Sequence, residues 1–292
     1  MGKSLAETFP LAASVMDRAD KTLGISLSSL CYEGPEEDLS ATQNTQPALL
    51  TVSAMALEVF RGRCGIKPDF VAGHSLGEFS AIYAAGGLTF EESVGIVRNR
   101  GLYMSESSGG VMAAVLGLDA DKIEEACREA TDGDSFIQPA NYNGTGQTVI
   151  AGKEDALERV TEILKEKGAK RVIKLNVSGA FHTPLMTSAS DRLATDLDGL
   201  AFKDATATLV NNVDAALVNG GADLREGVKR QVMGAVRWTG IMETLVKEGV
   251  KTVVEFGPGK TLIGMFKRVD SSLTLCNVED DESLNKTLEI LG

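Results

Sequence analysis

Residues 69–77 read Asp69-Phe70-Val71-Ala72-Gly73-His74-Ser75-Leu76-Gly77, and the reading of this stretch decides the fold. A short β-rich run after Pro68 ends in Gly-x-Ser-x-Gly, and a helical pattern then continues through Ala85 to Gly86-Gly87. A pair of glycines there is a helix C-terminus. A strand that turns abruptly into a helix with serine at the apex is a nucleophile elbow: small residues flank the serine, its hydroxyl stands above the sheet, and the following N–H faces a developing oxyanion. Five-residue patterns recur by chance, and the competing reading is a glycine-rich turn with an incidental serine. The strand–turn–helix context favours Ser75 as nucleophile.

A serine needs a base to take its proton. The chain has two histidines, His74 and His182. His74 is the neighbour of Ser75 in a strained turn, where adjacent side chains diverge. His182 is the remaining imidazole, and it follows a strand-like segment in Val177-Ser178-Gly179-Ala180-Phe181-His182. A lone structural histidine is the ordinary reading, but the scarcity of histidine reverses it once Ser75 is accepted.

Working outward, helical patterns alternate with short β-rich runs, which predicts an α/β fold with a mostly parallel sheet. Pro47 is expected to open a helix over 48–61 with Thr45 as its cap. From 110 to 178 the rhythm changes: strand 111–115, helix 121–130, strands 137–141 and 148–151, helix 154–167, strand 171–177. That βαββαβ order predicts a ferredoxin-like subdomain. The remaining segments, 1–109 and 179–292, form the large α/β domain, with strand 208–211, a helix near 228–233, strand 252–256 and a final helix over 260–268.

At 292 residues the chain buries a core without disulfide or metal staples. Its 41 acidic against 29 basic residues give a net charge of −12, a poor match to nucleic acid or an anionic membrane. Cys31, Cys64, Cys127 and Cys276 form no C-x-x-C pair, so the cysteine pattern predicts no metal centre and a cytoplasmic, reducing setting. Neither a signal peptide nor an 18-residue apolar run is present in the sequence.

Arg100 stands out on a helix over 91–106. At about 100° per residue it falls between Ile96 and Met104 on the apolar arc, whereas Arg98 falls outside it. A buried guanidinium needs an anion, and its planar fork suits a carboxylate. An internal ion pair or a side chain that reaches back to solvent are the alternatives.

With these residues in hand, the sequence resembles the malonyl-CoA–acyl carrier protein transacylases and the acyltransferase domains of fatty acid and polyketide synthases. The likeness runs through Asn44-Thr45-Gln46-Pro47-Ala48-Leu49-Leu50, Gly73-His74-Ser75-Leu76-Gly77-Glu78, Arg100-Gly101, Asn141-Tyr142-Asn143, Ala180-Phe181-His182, Asn211-Asn212-Val213 and Gly257-Pro258-Gly259-Lys260. It implies a hydrolase-like large domain and a ping-pong transfer in fatty acid synthesis. Ser75 takes malonyl from malonyl-CoA and passes it to the phosphopantetheine thiol of acyl carrier protein. Coenzyme A arrives as a thioester substrate, and no cofactor is expected. The resemblance further implies that the main-chain carbonyl at Gln231 orients His182, that the Leu76 N–H serves the oxyanion, and that Arg100 grips the malonyl carboxylate. Phe181 matches the form associated with malonyl over methylmalonyl, and His74, Gln46 and Asn141, with Asn143, match the substrate pocket. For acyl carrier protein, the candidate basic patches are Lys170, Arg171 and Lys174, or Lys260, Lys267 and Arg268.

One departure stands out. Family members begin with a strand and a Gly-Gln-Gly-Ser-Gln loop, which nothing in Met1 to Phe9 matches. A shortened chain with reduced or no activity is therefore an alternative expectation, as is a non-catalytic binding module. A serine hydrolase or thioesterase is another, although such folds place their histidine near the C-terminus.

Overall fold

The computed structural model describes residues 1–107 and 109–292. Five helices lead: α1 (Lys3–Thr8), α2 (Pro10–Leu23), α3 (Leu27–Glu33), α4 (Glu36–Ser40) and α5 (Thr42–Arg63). Strand β1 (Phe70–Val71) feeds α6 (Gly77–Ala84), and α7 (Phe90–Glu106) follows. Next come β2 (Val111–Leu116), α8 (Ala120–Ala130), β3 (Ile137–Gly144), β4 (Gln147–Gly152), α9 (Glu154–Glu166) and β5 (Arg171–Lys174). The chain then forms α10 (Thr187–Asp198), β6 (Thr208–Val210), β7 (Leu217–Val218), α11 (Gly221–Gln231) and α12 (Trp238–Lys247). It closes with β8 (Thr252–Phe256), α13 (Thr261–Val269), β9 (Thr274–Val278) and α14 (Asp281–Leu291). The class is α/β, as expected.

Three sheets are present among the described residues: β1-β6-β7, β3-β4-β2-β5 and β8-β9. The pairs β1–β6 and β8–β9 are parallel, so parallel pairing occurs in two separate pieces rather than one large sheet. Strands β1 and β8 are each at the end of their sheet, and both line a cavity of about 1550 Å³ together with Leu49, Ser53 and Leu57 of α5. The four-stranded sheet is wholly antiparallel, with β2 pairing both β4 and β5. Helices α8 and α9 close one face of it over Ile123, Ile150, Val160 and Leu164, each fully buried. The larger core gathers α2, α5, α6 and α7 around Met16, Leu50, Met55, Phe79 and Val97. Among the described residues no helix is long and apolar enough to cross a membrane.

Several expectations need correction. Helix α5 starts at Thr42 after Ala41, so Thr45 is inside the helix and is not its cap. Pro47, also inside, cannot donate to the carbonyl of Gln43 four residues back; the Arg98 guanidinium donates to that carbonyl instead. This substitute donor lets the helix run through its proline. The helix expected near 228–233 begins at Gly221, because Ala222 to Lys229 carry an amphipathic pattern centred on buried Leu224 and Val228. The segment over 260–268 is not the last helix; β9 and α14 follow it. Helix α7 has the firmest start, since the Thr89 hydroxyl accepts from the Glu92 N–H while the Glu92 carboxylate accepts from the Thr89 N–H. Such a reciprocal cap fixes the register of the helix that carries Arg100.

Candidate active site

The elbow between β1 and α6 is held in a conformation that few side chains tolerate. Ser75 has φ of +52°, in the left-handed region. A Cβ at Gly73 would lie 1.9 Å from the Gly77 carbonyl oxygen, so only glycine fits there, whereas a Cβ at Gly77 meets nothing within 4 Å. The turn therefore demands its first glycine and not its second. Asn212, just after β6, clamps the turn from the neighbouring strand: its Oδ1 accepts from the Ser75 N–H at 2.7 Å and its Nδ2 donates to the Gly73 carbonyl at 2.7 Å. With those bonds made, the Leu76 N–H has no acceptor among the described residues and is available to a ligand.

His182 comes from the loop after β5, 107 residues from Ser75, and its Nε2 is 2.9 Å from Ser75 Oγ. It too has a positive φ, +61°. Thr183 fastens the loop by donating its hydroxyl to the Ala180 carbonyl at 2.6 Å, and both Ala180 and Thr183 are fully buried. The opposite ring nitrogen, Nδ1, donates to the main-chain carbonyl of Gln231 at 2.9 Å. That bond places the proton on Nδ1 and leaves Nε2 as the acceptor for the serine hydroxyl. Burial, and then the positive charge of Arg100, push the imidazolium form down to about 3, so the ring is neutral near pH 7.

Arg100 is 1% exposed, on the inward face of α7. Its Nη2 donates to Ser75 Oγ at 3.1 Å and to Gln231 Oε1 at 3.0 Å, and Nη1 donates to Gln46 Oε1. Its Nε has no partner among the described residues. All of these acceptors are neutral, and no carboxylate within 4.0 Å pairs with the guanidinium among the described residues. A buried cation with neutral partners and a spare donor is an incomplete arrangement that an anion would complete.

Of the pocket-edge residues, Gln46 joins this cluster directly. His74 turns away from Ser75, stacks edge-on against Trp238, and hydrogen-bonds Asn143 Oδ1 through Nε2 at 2.8 Å. Burial lowers its basicity. Asn143 rather than Asn141 is thus the β3 residue that meets the elbow. The backbone at Asn141 bridges to Val236 instead. Phe181 is half-buried and packs between the large core and the Met112–Ala140 cluster. Of the basic candidates, Lys174 pairs with Glu154, Lys260 lies 3.7 Å from Glu279, and Arg268 donates to Gln147.

Residues 1–270 match the family model described as acyl transferase domain. The chain belongs to the acyl transferase family. It is 44% identical to the malonyl CoA-acyl carrier protein transacylase of Bacillus subtilis strain 168, over 100% of this chain and 92% of that protein. The protein of the same name from Escherichia coli K12 is 39% identical over 98% of this chain and 93% of its own. Among solved structures, MCAT from Streptococcus pneumoniae superposes with a TM-score of 0.94 at 41% identity, covering 99% of this chain and 95% of that one. A malonyl-transacylase solved in complex with a type II PKS acyl-carrier protein gives a TM-score of 0.95 at 39% identity, covering 98% and 94%.

Three site residues of this acyl transferase escape a reading of candidates by chemistry alone. Asn212, Asn143 and Glu78 are all inside stretches that carry the family resemblance, but neither asparagine has a reactive group and a glutamate in the first turn of a helix is ordinary in sequence. Glu78 is fully buried in the first turn of α6, with Oε2 accepting from Gln231 Nε2 at 2.7 Å and Oε1 from the Asn212 N–H at 3.3 Å. Gln231 therefore does more than present a carbonyl: its side-chain amide also donates to the Ser75 carbonyl at 2.7 Å. A buried amide with every group used is the signal that points to it, and that signal exists only in three dimensions.

Proposed function

We propose that this acyl transferase moves a malonyl group from malonyl-CoA to the phosphopantetheine thiol of acyl carrier protein, as the names of its relatives describe for them, and so serves fatty acid synthesis in the cytoplasm. The observation that carries this reading is the convergence on Ser75 Oγ of a neutral imidazole at 2.9 Å and a buried guanidinium at 3.1 Å. An imidazole activates the hydroxyl, and the guanidinium adjacent to it selects an acyl group that ends in a carboxylate.

In the first half-reaction Ser75 Oγ attacks the thioester carbonyl as its proton passes to His182 Nε2. The Gln231 carbonyl stabilises the imidazolium through Nδ1–H, and the Leu76 N–H donates to the oxyanion. The C–S bond then breaks and the imidazolium returns its proton to the leaving thiolate, giving malonyl-Ser75 and coenzyme A. In the second half the carrier thiol gives its proton to His182, attacks the ester carbonyl, and the serine oxygen leaves and is reprotonated. The chain needs no cofactor or metal for either half, since every proton is held by His182. Arg100 and Gln46 hold the malonyl carboxylate, Phe181 crowds the α-carbon, and His74, with Asn143, shapes the elbow's outer wall.

Two architectural assignments belong to the same reading. The strand order β5-β2-β4-β3 with α8 and α9 on one face supports a ferredoxin-like subdomain over 110–178. Segments 1–109 and 179–292 then form a hydrolase-like catalytic domain around the elbow.

Intact-mass spectrometry after mixing the chain with malonyl-, methylmalonyl- and acetyl-CoA tests the function. Malonylation at Ser75, discharged by the thiol of holo carrier protein, is the expected result. Release of free malonate without a carrier protein would identify a hydrolase, and no labelling of Ser75 would leave a binding module.

A further inference from the structure

Among the described residues Glu78 is the one fully buried carboxylate at the active site, and the mechanism above gives it no task. It is fully buried, yet no cation lies within 4.0 Å of it among the described residues. Its link to Arg100 runs through a single amide. Gln231 turns its Oε1 to the Arg100 guanidinium at 3.0 Å and its Nε2 to the Glu78 carboxylate at 2.7 Å. Only this orientation of the amide satisfies cation and anion together, and the flipped amide would face NH2 to guanidinium and oxygen to carboxylate.

We propose that Glu78 is the internal counter-charge of Arg100, coupled to it through the Gln231 side chain, and that it takes up a proton when an acyl group bearing a free carboxylate docks on Arg100. The proposal rests on the malonyl-transfer reading. Without substrate, one buried cation and one buried anion share a neutral amide bridge. A substrate carboxylate on Arg100 adds a second anion to the same water-poor pocket. The surplus negative charge is costly in such a pocket unless one of the carboxylates becomes neutral. The substrate carboxylate gains the direct guanidinium contact, so Glu78 is the group that protonates.

The charges around Glu78 support that assignment. Arg100 from α7 and Arg230 from α11 face it. Arg230 is already matched, since both of its Nη atoms donate to Asp214. Glu58 and Arg61 of α5 meet the far end of α6, at Tyr83 and Ala84, and β1 carries no charge. His182 and His74 are held neutral by burial. Burial already raises the Glu78 carboxyl to about 7, against the opposing pull of the Gln231 and Asn212 donors and of Arg100. A modest further push therefore completes the protonation at neutral pH.

Acylation itself moves no net proton, because the serine proton ends on the coenzyme A thiol. Proton uptake during loading thus reports on the surroundings. The experiment mixes the full chain with malonyl-CoA in weakly buffered indicator dye at pH 7.0 and counts malonyl-Ser75 by intact mass. The expected result is uptake of up to about half a proton per malonyl loaded, since a group titrating near 7 is half-protonated beforehand. Glu78→Gln should load malonyl with uptake reduced below about a tenth. In the wild-type chain the loading equilibrium should also shift toward malonyl-Ser75 by several-fold between pH 8 and pH 6, a readout that needs no variant. Malonyl-Ser75 formed without proton uptake overturns the proposal, as does undiminished uptake in Glu78→Gln. Failure of Ser75 to take malonyl at all is a different result, which defeats the transfer reading itself and the proposal with it.

Discussion

The unit built on β2 to β5 and the region around Ser75 solve the problem of burial in opposite ways. The four-stranded unit buries alternating apolar side chains under two amphipathic helices, and Ala113, Val115, Ile123, Ile150, Val160 and Leu164 dominate its core, with Thr148 the buried polar side chain beside Ile150. Around Ser75 the interior instead holds Arg100, Glu78, Gln46, His182, Asn212 and Gln231, all less than 6% exposed. Both non-glycine residues of the proposed dyad also have left-handed backbone. The first region is held mainly by apolar contact, which asks for no particular partner. The second is stable only because each polar group answers another, and strain of about 1–3 kcal/mol per residue is held in place by that network.

Substitutions can break or sharpen this contrast. Ser75→Ala should abolish acyl-enzyme formation, read by intact mass, while the melting temperature stays close to that of the parent. Arg100→Ala should cut malonyl loading by about 10²–10³-fold and leave acetyl loading far less affected, consistent with the ~2–5 kcal/mol typical of truncating one partner of a buried charge pair. If malonyl remains preferred, the carboxylate role is wrong. Gly73→Ala should cost at least ~3 kcal/mol in urea unfolding, because its Cβ meets backbone atoms that cannot move aside. Gly77→Ala, in open space, should change stability by less than ~1 kcal/mol. In the four-stranded unit, Ile150→Ala should remove ~2–4 kcal/mol of stability yet leave the acylation rate of the folded protein within about twofold.

A last contrast concerns pH. His182 is held below its unfolded value, so its contribution is present above pH 6.5 and is lost as pH falls toward 3. Glu78 is held above its unfolded value, so its contribution is present below pH 4.5 and is lost as pH rises through 7. The two oppose each other between 4.5 and 6.5. Glu78→Gln should leave the histidine unopposed, and its stability relative to the parent should grow by on the order of 2–3 kcal/mol from pH 4.5 to 7.5.

The same contrast explains what was legible in the sequence. The strands and helices of the four-stranded unit are found within a few residues of their expected positions, because period-2 and period-3.6 patterns are local. The elbow was equally legible, since Gly73 and Ser75 share one turn. Arg100 showed itself by an improbable place on an apolar arc. The dyad came from a shortage of histidine rather than from spacing, because 107 residues separate its members. Asn212 and Glu78 gave no such sign: an asparagine after a strand and a glutamate in the first turn of a helix are ordinary in sequence. Helices α1 to α4 are short or capped without side-chain bonds, and β9 and α14 follow a segment whose pattern already looked terminal.

Pro47 has a consequence of its own. A helix-breaking residue here acts as a fastener: by withholding an amide from Gln43 it hands that carbonyl to Arg98, a residue on the same helix as Arg100 and two positions before it. Arg98 also holds Asn44, while Arg100 holds Gln46. Two alternate side chains of one helix thus lace into the first turns of another, one outside the pocket and one within. Restoring the amide with alanine would set backbone and guanidinium competing for one oxygen, and the seam that aims the inner arginine would slacken from a position that never touches substrate.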